Sequence, residues 1–119
     1  MSEAPDQELI EVGELDFDQW NDYAVDQGWS DGLPLYVPSE EKVAALVAAC
    51  HGDNEPFPPM PPRRVVPTLQ SIAANAVMAG CRPEDFPAVV AAVRAVLVPE
   101  YNLHGTLATT HPCGQGLYI

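Results

Sequence analysis

Six of the twelve residues at positions 56–67 are proline. Proline has no backbone N–H and a fixed φ, so neither a helix interior nor a central strand can pass through this stretch. Regular structure must therefore lie on either side of it. The stretch reads as a stiff connector of polyproline character that wraps its own domain or a partner. Arg63-Arg64 after the proline run also admits docking to an SH3-type domain.

Before the connector, apolar residues recur at helical spacing from Asp16: Phe17, Trp20, Tyr23 and Ala24, with Gly28 as the stop. Ser30-Asp31-Gly32 is turn chemistry, and Pro34 and Pro38 set an extended path between apolar side chains. Ser39 caps a second helix, with Glu40 and Glu41 at its positive end, an apolar stripe of Val43, Leu46, Val47 and Cys50, and Gly52 as its stop. After the connector, Arg64-Val65-Val66 predicts a short strand. Thr68 caps a third helix over 69–79, whose Leu69, Ile72, Ala73, Ala76 and Val77 face one way. Its small residues let another backbone approach closely. Pro83 opens a fourth helix with core residues Val89, Val90, Val93, Val96 and Leu97, stopped by Pro99. Residues 105–110 and 116–119 read as short strands.

The predicted fold is α+β: a small, mostly helical domain of about four helices, with two or three short strands completed by a partner chain. Residues 1–15 are predicted to be an acidic flexible arm, and 16–119 a single domain. A chain of 119 residues has room for one modest core, and 47 % apolar content is enough to build it.

Charge narrows the partners. Seventeen acids face five bases, a net of −12. Ten of the acids fall within residues 1–31, where there is no Lys or Arg. No basic stripe exists for a duplex nucleic acid or an anionic membrane. The longest nearly uncharged apolar run, about 69–81, is too short to span a bilayer. The first residues show neither a secretory nor a transit pattern, and Cys50, Cys81 and Cys113 form no CxxC pair. Both observations predict a cytoplasmic chain with reduced thiols.

Three groups of residues carry chemistry. Cys81 sits at the predicted N-terminus of the fourth helix beside Arg82, a position that lowers a thiol's pKa and makes a nucleophile; a small buried residue is the alternative. His104, His111 and Cys113 lie within one ten-residue stretch and offer ligands to zinc, iron or copper, or a histidine for general acid–base work. Asn102, Thr109 and Thr110, around Gly105, supply donors for a carboxylate or phosphate. Trp29, Asp31 and Tyr36 can line a pocket, although Asp31 also suits capping its own turn. His51 reads as structural. No P-loop, GxGxxG or GxSxG motif is present.

Three stretches together carry a resemblance. They are Gly28-Trp29-Ser30-Asp31-Gly32-Leu33-Pro34, then Asn75-Ala76-Val77-Met78-Ala79-Gly80-Cys81-Arg82-Pro83-Glu84, then Asn102-Leu103-His104-Gly105 with Ala108-Thr109-Thr110-His111-Pro112. In this order they resemble a segment of bacterial proteins associated with the UGSC-motif family, over about residues 28–112. The Sec/Cys-Gly-Ser-Cys motif itself is not in this chain, and the family segment continues with a Gly/Asn-rich portion beyond this point. The resemblance thus implies a larger protein subunit that carries the continuation, with thiol or redox chemistry nearby.

The functional expectation is a subunit of a hetero-oligomeric bacterial enzyme acting on a small polar molecule. Its site would be shared with the larger chain, with thiol/redox or metal-assisted hydrolytic or lyase chemistry. His111, His104 and Cys81 are the catalytic candidates, Asn102, Thr109 and Thr110 the substrate-binding ones, and His104, His111 and Cys113 the candidate ligands of a transition metal. The alternative is a non-catalytic accessory subunit covering the sheet of a partner enzyme.

Overall fold

The computed structural model describes residues 13–118. Most of the predicted acidic arm, residues 1–12, and the terminal Ile119 lie outside the described residues. The elements are α1 (Phe17–Asp26), α2 (Glu40–Ala49), α3 (Leu69–Met78), α4 (Phe86–Val96) and a short α5 (Leu103–Leu107), with 3₁₀ turns at Pro83–Asp85 and Pro99–Tyr101. The molecule is a small, mostly helical domain. No single helix among the described residues is long and apolar enough to cross a membrane.

Local chemistry sets the helix boundaries. Asp16 and Gln19 form a capping box on α1: Asp16 Oδ1 accepts from the Gln19 N–H at 2.8 Å, and the Asp16 N–H donates back to Gln19 Oε1. Thr68 and Ser71 do the same on α3. Ser39 Oγ accepts from the Lys42 N–H on α2. The predicted fourth helix begins with a 3₁₀ turn at Pro83, and α4 proper starts at Phe86.

The core lies among α2, α3 and α4. Leu46, Ala73, Ala76, Val77, Phe86 and Val90 form it, with Phe57 of the proline connector as its plug. Ala73 and Ala76 are small enough to bring the neighbouring helices close to α3. Phe86, fully buried, contributes about 1.5–3 kcal/mol by leaving water. It belongs to the core beyond the predicted valine stripe. The connector wraps its own domain: the Arg94 guanidinium lies 4.1 Å from the Phe57 ring centroid, pairs with Asp53 at 3.1 Å and donates to the Glu55 carbonyl.

α1 is held outside this core. The Trp20 indole N–H donates to the Leu35 carbonyl and Asn21 Oδ1 accepts from the Leu35 N–H, so α1 grips the extended segment at one residue. Trp20, Tyr23 and Trp29 pack as a ring cluster with centroids 5.7–6.3 Å apart. Phe17, predicted on the packed face of α1, is instead exposed. The segment then joins α3, the Tyr36 N–H donating to the Met78 carbonyl.

The predicted strands do not form among the described residues. Arg64-Val65-Val66 is reduced to one antiparallel bridge, Met60 to Val65, because the chain turns at 61–64 with Arg64 at φ 55°. That hairpin also breaks the straight polyproline path that an SH3-type domain reads. Residues 105–110 begin inside α5 and end in a loop, and 116–118 form no regular element. A strand needs a neighbour for its N–H and C=O groups, and the described chain offers none. Asn102, left-handed at φ 56°, caps a helical turn instead, with Leu103 buried beneath it.

Candidate functional site

The residues predicted to act fall on two separate surfaces. Asn102, His104, Thr109, Thr110, His111 and Cys113 belong to α5 and the segment after it. Asn102 Oδ1 accepts from the Gly105 N–H at 3.3 Å, so its side chain is spent on the cap of α5. Gly105 leaves room for this cap: a Cβ at this position would stand 2.5 Å from the Asn102 amide nitrogen and push that side chain aside. Thr109 is half-buried and its Oγ1 accepts from the His111 N–H at 3.2 Å, while the Cys113 N–H donates to the His111 carbonyl. These bonds fold 109–113 into a tight turn. The Tyr101 hydroxyl bonds the Gln115 side chain, tying the turn back to the 3₁₀ segment.

The reactive ends all face outward. His104, Thr110, His111 and Cys113 are exposed. Among the described residues, no three His, Cys, Asp or Glu side chains gather as a metal-binding group, so the chain alone does not bring His104, His111 and Cys113 together. The same segment exposes Leu107, Leu117 and Tyr118, the last at 99 %.

Cys81 is elsewhere, in the link from α3 to the Pro83 turn. It lines a cavity of about 280 Å³ with Tyr36, Lys42, Leu46, Val77 and Arg82. None of the α5 residues lines it. The surroundings of Cys81 do not favour the thiolate that its sequence position suggests. The Cys81 thiol is pushed up by burial, then by the Asp85 and Glu84 carboxylates of the turn it precedes. Its S–H donates to the Arg82 carbonyl at 3.4 Å. It remains a protonated thiol near neutral pH. Cys50 is likewise pushed up, by burial against the core and by Asp53.

Of the predicted pocket residues, Tyr36 does line this cavity. Trp29 packs on Trp20 and Tyr23, and Asp31 Oδ1 caps its own turn through the Leu33 N–H. His51 is exposed, at φ 52° just past α2. Lys42, which sequence reasoning did not single out, also lines this cavity. A signal was present: Lys42, Ala45 and Leu46 share one helical face, and Leu46 is a core position.

A second, larger and mostly apolar groove of about 730 Å³ runs between the 60–67 hairpin and α3 and α4, with Arg63 at its edge. In comparisons with known proteins, no family model, no curated protein and no solved structure matches this chain.

Proposed function

We propose that the chain is a subunit of a hetero-oligomeric enzyme whose site is completed by a larger partner chain meeting residues 102–113. One observation carries this reading: His104, Thr110, His111 and Cys113 are exposed on the same segment as the unpacked Leu107, Leu117 and Tyr118. Apolar side chains left in water beside polar reactive ones favour a protein partner over bulk solvent. In the assembled site the histidines act as general acid–base groups or metal ligands, and Thr110 donates to a small polar substrate. Residues 112–118, which have no strand neighbour in this chain, add to the partner's sheet. The motif resemblance to UGSC-associated bacterial proteins supports thiol or redox chemistry nearby, and the three cysteines without a CxxC pair support a cytoplasmic setting; zinc, iron or copper held in part by His104, His111 and Cys113 is the metal-assisted form of the same reading.

A second reading, an accessory chain without catalytic groups, is favoured by one observation: Cys81 is held protonated and apart from the histidines. Native mass spectrometry of the co-expressed complex reports partner, stoichiometry and bound metal. Within that complex His111→Ala leaves assembly intact and lowers turnover on the order of a hundredfold. His104→Ala acts in the same direction. Normal turnover in both variants would establish the accessory role.

A further inference from the structure

The cavity at the C-terminal end of α3 is separate from the site proposed on residues 102–113. Two stretches far apart in sequence make it. The Tyr36 N–H donates to the Met78 carbonyl at 3.1 Å, which fixes the Tyr36 ring against Gly80. Gly80 has φ +85°, and a Cβ there would lie 3.2 Å from the ring, so glycine is what lets the wall close. Leu46, Val77 and Pro83 give an apolar floor. The charged side chains that line the cavity are Lys42 and Arg82, both cations. They are two of only five bases in a chain with seventeen acids. Lys42 Nζ sits 5.3 Å from the Tyr36 ring centroid, and neither cation has an ion-pair partner among the described residues. Glu84 and Asp85 act on the Cys81 thiol from the adjoining turn but do not line the cavity.

We infer that this cavity binds a small organic anion, a carboxylate with a compact apolar body, its charge between Lys42 and Arg82 and its body on Leu46, Val77 and the Tyr36 ring. An apolar floor with a few convergent polar groups is the usual build of a small-ligand site. Two cations without an ion-pair partner among the described residues, over an apolar floor, concentrate anions. Cys81 lies in the wall and serves as a built-in reporter.

The test compares two alkylating reagents on the full chain, the anionic iodoacetate and the neutral iodoacetamide, with peptide mapping. The ratio of their rates at one thiol cancels that thiol's ionised fraction. At Cys81 the iodoacetate-to-iodoacetamide ratio exceeds that at the exposed Cys113 on the order of tenfold, and it falls to the Cys113 level in the Lys42→Gln/Arg82→Gln double variant. Both substitutions are on exposed side chains and leave the fold intact. Equal ratios at the two thiols, or a Cys81 ratio unmoved by the double variant, overturns the proposal. A titration with benzoate followed by amide NMR gives a second readout that needs no thiol reactivity. Saturable shifts at Gly80 and Cys81, much weaker with benzamide and lost in the double variant, support the site. Absence of saturable shifts, or equal binding of benzamide, overturns it.

Discussion

The segment α2–α4 and the segment from Val98 to Tyr118 divide the molecule's work. In the first, apolar side chains recur at helical spacing and nearly all find partners, around a fully buried Phe86. In the second, only Leu103 is buried, and the apolar and reactive side chains stand in water. Packing is thus concentrated in one region, while His104, His111 and Cys113 stand exposed in the other. On the function proposed above, a segment carried on a separately packed core can wait for a partner without endangering the fold.

The contrast breaks most easily at its packed end. Phe86→Ala is expected to cost about 3–5 kcal/mol of unfolding free energy, since it leaves a cavity in the middle of the core. Tyr118→Ala should stay within about 0.5 kcal/mol. Urea titration of both variants measures the difference, and comparable losses would erase the distinction between the regions. Next in size is a cap. Thr68→Ala removes the acceptor for the Ser71 N–H at the start of α3 and should lower stability by about 1 kcal/mol in thermal unfolding.

Acid sharpens the comparison further. The Asp53 carboxyl is held below the usual carboxylate range, chiefly by the Glu55 N–H and then by Arg94. A depressed folded-state pKa means this contribution is present above the unfolded value, about pH 4, and is lost as pH falls through the folded one. Melting temperature should therefore drop below about pH 4, and Asp53→Asn should flatten that drop. The smallest effect concerns the thiols. With neutral iodoacetamide, Cys113, exposed in the tail, should label faster than Cys81 or Cys50, both half-buried and pushed up. Cys81 labelling first would restore it as a nucleophile.

Much of the core was legible before the fold. Ser39 and Thr68 announce their helices because capping is local chemistry, and Leu46, Ala76 and Val77 follow from periodicity alone. The short strands were misread for a physical reason. Val65 and Thr109 have strand propensity, but pairing is non-local: among the described residues Val65 finds a single bridge to Met60 and Thr109 no strand partner. α5 was hidden because its cap is a left-handed asparagine and its length one turn. For the candidate site, residue identity was legible but environment was not. Cys81 beside Arg82 looks activated in sequence; in space, burial and then Asp85 and Glu84 push its thiol up. Lys42 looked like one more surface charge until the fold set Tyr36 against it.

The proposed function requires that the segment bearing His104 and His111, exposed in the chain alone, is covered and further ordered by a partner. Hydrogen exchange of the chain alone and of the co-expressed complex measures this directly. The account predicts slow exchange in α3 and α4 throughout, fast exchange over residues 108–118 in the isolated chain, and protection of 102–113 on complex formation. Slow exchange over 108–118 without a partner, or no gain of protection in the complex, would contradict it.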